Sequence, residues 1–345
     1  MLTILILTIV TGCSTKKSAK EALVEAILNE ENIMSSEFKG MLSLTVDANN
    51  IQDPDFDYYA NMLNNAKIIV RGKNDLSNEK VAAEIKLDLG GMSFNAELYQ
   101  YDNKIALKIP FLAQVLGDPI FSEKYIVMDL EELMKEAESY QEGTKDINEE
   151  EFMALYRKIS SSSIESLIEE SITDNGTQAV EVGGKTVKAR EIQVTLNLED
   201  FMDIFKNFII MLKEDDFRNE LFNVASTLDP YMTREDFDRG IAEITNTSDE
   251  EIDELFMEMK EEVDLENFNV QSITYIDSSS NIVKSTTEAN LNIKEENQSV
   301  NFGFKGDMET WNINKSIEIE IPEINADNSI DFEQFLYSIM FSSFY

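Results

Sequence analysis

The chain has 345 residues, 43% of them hydrophobic, enough for a substantial core and too many for a wholly disordered chain. Its 67 acidic residues against 29 basic ones give a formal net charge of −38, which argues against binding to nucleic acid or electrostatic docking on anionic lipid. With no histidine and one cysteine, it lacks the residues for Ser-His-Asp or Cys-His catalysis, for His-containing zinc sites and for an internal disulfide.

The N-terminus gives the lone cysteine a role. Residues 2–10 are apolar but too few to span a bilayer, and they match the core of a secretory signal peptide. Val10-Thr11-Gly12-Cys13 then has the form of a bacterial lipobox, an aliphatic residue and two small ones before the cysteine to be lipidated, and Ser14–Lys17 reads as a polar tether. Residues 1–12 are therefore expected to be a signal peptide, 13–20 a tether lipidated at Cys13, and 21–345 the exported domain. No Lys or Arg precedes the apolar run, so a basic segment upstream of Met1 is expected. The competing reading is a buried N-terminal helix with an incidental cysteine.

Along the mature chain, Ala22, Leu23, Ala26 and Ile27 follow a helical rhythm over residues 18–35. Phe38–Val46 alternates, with Met41, Ser43 and Thr45 on one side and Leu42, Leu44 and Val46 on the other. A short helical piece falls within 49–65, and a strand resumes at 66–73. Val81–Leu89 and Met92–Leu98 flank Gly90-Gly91, a strong hairpin signal because both glycines accept positive φ. Asp102-Asn103 turns into a strand at 104–109, and 124–128 is another. Helices are expected at 130–140 and 149–170.

A second meander begins near Gln178, turns at Gly183-Gly184 and continues over 186–196. Helices follow at 199–213, 216–228, 234–245 and 249–263. Capping pairs at Thr233/Asp236 and Ser248/Glu251 mark the last two starts. Strands return at 270–276, 282–293, 299–307 and 316–321, and 332–345 reads as a helix or an apolar tail. Short hairpins favour an antiparallel sheet over a parallel α/β arrangement. Two glycine hairpins about a hundred residues apart hint at two similar halves, about 21–175 and 176–345.

Four features bear on chemistry. Phe201–Leu212 is apolar almost all round. Such a helix either fills the core or lines an apolar cavity, with Phe201, Phe205, Phe208 and Met211 as its lining. The loop from Ile109 to Pro119 is apolar and bounded by prolines; Phe111, Leu112 and Leu116 either pack on their own domain or form a cavity mouth. The acidic residues Asp53, Asp55, Asp57 and Asp249–Glu266 do not match the spacing of a calcium loop. Carboxylate pairs are unavoidable with so many acids, Trp311 alone is a slight case for sugar stacking, and the glycine pairs sit in hairpins rather than phosphate loops. No enzyme, metal or cofactor is expected.

The lipobox Val10–Cys13 combines with Phe38-Lys39-Gly40, the run Asn103–Leu112, Lys124–Leu130 and Gly184–Val187. On these segments the chain resembles clostridial and related Firmicute lipoproteins similar to the LolA/LppX/LprG group of lipid and lipoprotein carriers. That resemblance implies an α+β fold: a curved antiparallel half-barrel with helices covering the concave face and an apolar cleft between. It carries over one functional residue, Cys13. The helical block at 199–262 is larger than in that group, so the cleft is open or filled by protein. The expected function is that of a non-enzymatic lipoprotein, held on the outer face of a bacterial, Gram-positive-type cell membrane by diacylglycerol on Cys13. It would bind a lipid or other apolar ligand; the alternative is a surface interaction protein with a filled core.

Overall fold

Long stretches of alternating apolar and polar residues form strands, and tight turns pair them in chain order. In the computed structural model, residues 17–49, 54–131, 149–229, 231–262, 268–295 and 298–342 are described. A first meander comprises β1 (Ser35–Asn49), β2 (Ala66–Asp75), β3 (Lys80–Leu89), β4 (Met92–Tyr101), β5 (Lys104–Lys108) and β6 (Tyr125–Asp129). A second comprises β7 (Ile172–Val182), β8 (Lys185–Leu196), β9 (Asn269–Ile276), β10 (Ile282–Glu295) and β11 (Gln298–Trp311), and a short β12 (Ser329–Asp331) follows. All join one sheet in the order β12-β6-β5-β4-β3-β2-β1-β11-β10-β9-β8-β7.

The two meanders fuse at their centre, where β1 runs antiparallel to β11 from Glu37↔Trp311 to Asn49↔Ser299. The sheet is large, curved and unclosed, a half-barrel in an α+β fold. One pair departs from the antiparallel expectation: β12 lies parallel to β6. Three residues are too few to show a period in sequence, so this strand was not legible there. The strand expected at 316–321 is absent. That segment crosses β1 and β2, held by Ser35 Oγ donating to Lys315 O (2.8 Å) and Lys73 Nζ donating to Glu318 O (3.0 Å). Both edges of β1 and of β2 are already paired, so the segment finds no ladder partner.

Ten helices are described. α1 (Ala19–Asn29) starts at a capping box between Ser18 and Glu21. It buries Ala22, Leu23 and Ala26 against Ile172, Ile192, Val194 and Ile276 of β7–β9. α2 (Pro54–Asn64) packs beside β1. There β2 has ended, and the Asn64 carboxamide takes over as partner to the backbone N–H and C=O of Val46. α3 (Leu112–Leu116) and α4 (Ile120–Glu123) pack with β5, β6 and β12 through Phe121, Ile126 and Ile330. α10 (Phe332–Ser342) joins them through Phe332 and Phe335.

α5 (Glu149–Ser166), α6 (Leu198–Leu212), α7 (Asp215–Leu228), α8 (Arg234–Thr245) and α9 (Asp249–Glu262) form a helical block between β6 and β9 in chain order. Its core is Leu155, Met211, Leu212, Phe217 and Ile241. α6 starts at a capping box of Asn197 with Asp200, and buried Asp200 also accepts from the Ser171 hydroxyl. The helix expected at 130–140 lies, from residue 132 on, outside the described residues, as do Cys13 and the signal segment.

The sheet curls enough for the tip of the β7–β8 hairpin to meet β11. Gly183 (φ +57°) sits against the Trp311 indole, where an added Cβ would come within 2.5 Å of the ring. The Gly183 N–H donates to Glu309, and Lys284 pairs with the same carboxylate at 2.9 Å. Val182, Ala189 and Val283 are buried around this contact.

Candidate functional site

Register divides the middle strands into two unlike faces. On one, a row across β10, β11, β1, β2, β3 and β4 reads Ser285, Met308, Gly40, Val70, Ile85, Ala96. The next row reads Thr287, Gly306, Leu42, Ile68, Leu87, Phe94. Beyond it, Ala289–Phe304–Leu44 and Leu291–Phe302–Val46 continue the apolar surface across β10, β11 and β1. The opposite face carries Lys284, Glu309, Lys39, Arg71, Glu84, Glu97 and Lys108 in a single row across seven strands. That is a wet, charged surface, so the sheet is amphipathic through its width.

Cover on the apolar face is uneven. α1 buries the β7–β9 flank, and α3, α4 and α10 bury the β5–β6–β12 flank. Between them no described helix closes the face. None of the buried hydrophobic residues comes from β2, β3, β4 or β11. Phe302, Phe304 and Met308 remain 42%, 39% and 46% exposed, and Ile68 38%. The result is an open trough of about 560 Å³, floored by Phe38, Gly40, Leu42, Ile68, Val70 and Met308. Glycine deepens it: a Cβ on Gly40 would rest in ordinary contact with the Met308 sulfur, 3.6 Å away, so the space is vacant rather than crowded.

The residues singled out in sequence fall around this trough unevenly. Phe111 lies over β4, beyond the residues that line the trough, its ring centroid 4.0 Å from that of Phe94. Leu112 and Leu116 pack into the β5–β6–β12 flank. In α6, Met211 is buried in the helical block and Phe208 lies edge-on to Phe217 there, ring centroids 5.9 Å apart. Phe201 and Phe205 stay part-exposed, set against Phe268 and Phe256 respectively. None of the residues singled out lines the trough, and Phe208 and Met211 go into interhelical packing. The floor itself was missed. Its signal was the alternation of 38–46 and 299–307 with glycines at 40, 72 and 306, a pattern that marks an apolar face without saying what covers it.

Three perturbed groups lie on the charged face. Burial, with the Glu97 carboxylate beside it, pushes the Tyr99 hydroxyl up to about 12; Tyr125 is raised for the same reasons. Burial pushes Glu309 up, but hydrogen bonds from Lys284 and the Gly183 N–H outweigh it and hold the carboxyl below its usual range. Trp311 donates from Nε1 to Glu37 (3.1 Å) and is covered on one side by Gly183, so the ring is occupied within the fold. Among the described residues no helix is long and apolar enough to cross a membrane.

No protein-family model and no curated protein sequence matches the chain. Solved structures similar to it at a low level include two of unknown function. One is a DUF1329 family protein from Desulfovibrio piger, 5% identical, with a TM-score of 0.21, covering 88% of this chain and 96% of its own. The other is a beta-barrel-like protein of domain of unknown function DUF1849 from Brucella abortus, 8% identical, with a TM-score of 0.15, covering 81% of this chain and all of its own.

Proposed function

We propose that the protein is a membrane-tethered carrier that holds the acyl part of an amphiphile in the open trough of its sheet. The observation behind this reading is the uncovered pair of rows from Ser285 to Val70 and from Thr287 to Ile68, set between two covered flanks. Covering apolar surface is worth about 25 cal/mol per Å². A chain that covered about 300 Å² would therefore gain roughly 7 kcal/mol before the entropy of ordering it is subtracted. An open trough between fixed flanks suits exchange: the chain is held by contact area, and no bond is made or broken.

Attachment to the membrane is part of the proposal. A body of net charge −38 is repelled by anionic lipid, and a diacylglyceryl group on Cys13 supplies anchoring that electrostatics would oppose. Export to the extracytoplasmic side follows from the same lipobox.

The test is native mass spectrometry of protein purified without detergent from a bacterial host, with lipid extraction in parallel. A bound amphiphile is expected on the native chain, and Gly40→Leu, which fills the trough, is expected to lose most of it while folding normally. An empty native chain, or equal loading of Gly40→Leu, would instead support a surface interaction protein without a small ligand. For the anchor, labelled palmitate is expected to enter the native protein and not Cys13→Ala, and that variant is expected to leave the membrane fraction.

A further inference from the structure

The side of the trough towards β9 is not apolar. Thr274 and Ser272 of β9 lie directly beside Ser285 and Thr287 of β10, all four on the trough face. Ser272 and Thr287 share a hydrogen bond of 3.1 Å, and the Ser285 and Thr287 hydroxyls border the trough, next to Met308 and Gly306. Four neutral hydroxyls thus form a two-by-two patch where an apolar floor meets a helix-covered flank. Each can both donate and accept.

Charge is distributed the opposite way. Every described basic side chain of the floor strands β1, β2, β10 and β11 (Lys39, Lys67, Arg71, Lys73, Lys284 and Lys305) alternates onto the other face. The charged residue bordering the trough is Asp307, whose carboxylate accepts from Thr286 on that other face at 2.7 Å. A phosphate or carboxylate head seated by the trough would leave water without meeting a cation, within a body already strongly anionic.

Building on the carrier reading, we infer that the trough selects amphiphiles with an uncharged, hydroxyl- or ester-bearing head of the acylglycerol type, seated on Ser285 and Thr287. The acyl chain runs over Gly40, Leu42 and Met308, and the head exchanges hydrogen bonds with the hydroxyl patch instead of water.

The test is displacement of the fluorescent apolar probe N-phenyl-1-naphthylamine by three ligands of one chain length: monopalmitoylglycerol, palmitate and palmitoyl-lysophosphatidylglycerol. On the native protein, monopalmitoylglycerol is expected to displace the probe at a concentration about tenfold below that of either anion. In Ser285→Ala/Thr287→Val, which keeps side-chain volume nearly constant, that preference is expected to fall to about twofold with probe binding unchanged. Anions that displace as well as the glyceride, or a double variant that keeps the preference, would overturn the head-group assignment and leave the carrier reading standing. Failure of the probe and all three ligands to bind the native chain would overturn both.

Discussion

The β7–β9 flank and the middle of the sheet start from the same kind of sequence and end differently. On the flank, Ile192 and Val194 lie under α1 and Ile192 is wholly buried. In the middle, Phe302, Phe304 and Met308 come from strands with the same alternation, yet each keeps about two-fifths or more of its surface in contact with solvent. The difference lies in what stands above them: α1 lies across β7–β9 and α6 follows directly on the flank strand β8, whereas β2–β4 and β10–β11 are joined by tight turns that bring no α-helix with them. Burial in this protein is set by connectivity as much as by hydrophobicity, and the strands with tight turns make the surface left open.

That comparison can be broken most decisively by stability measurements. Ile192→Ala is expected to lower unfolding free energy by about 2–5 kcal/mol, whereas Phe304→Ala should cost less than about 1 kcal/mol because little burial is lost. Urea unfolding of both variants checks this, and equal losses would mean that the middle is covered in solution. Gly183→Ala comes next. A Cβ there requires a left-handed non-glycine residue, at about 1–2 kcal/mol, and collides with Trp311. Trp311 is the chain's single tryptophan, so its emission should shift to the red as the hairpin tip lifts, with the trough's apolar probe binding little changed.

The smallest effect is on pH. Glu309 is held below its usual range, so the stabilisation from its bonds to Lys284 and Gly183 is fully present above pH 4.5, its unfolded value, and is lost as pH falls through the folded value. Titration followed by Trp311 emission should show an acid transition that Glu309→Gln removes.

Much of the fold was legible in sequence because it rests on local signals. Gly90-Gly91 and Gly183-Gly184 turn as expected, and the two sides of Phe38–Val46 fall on opposite faces as their alternation requires. The pairing of β1 with β11 was not legible, since it joins residues two hundred and fifty or more positions apart and no local pattern encodes it. For the same reason the trough has no local signature: Gly40, Ile68 and Met308 meet only once the long-range register is fixed. All-round apolarity in Phe201–Leu212 marks a helix covered on most sides, and much of that apolar surface goes into packing with α5, α7 and α8.

The most direct test of the open trough places a reporter on each face of the sheet. Phe304→Trp puts an indole on the trough floor, while Trp311 reports from the charged face, so quenching of each by a monoacylglycerol brominated along its chain can be compared below its critical micelle concentration. Strong quenching of the added indole with Trp311 emission in the native chain left unchanged is the predicted result. Quenching of Trp311 alone, or of neither, would contradict the trough as the place where the chain binds.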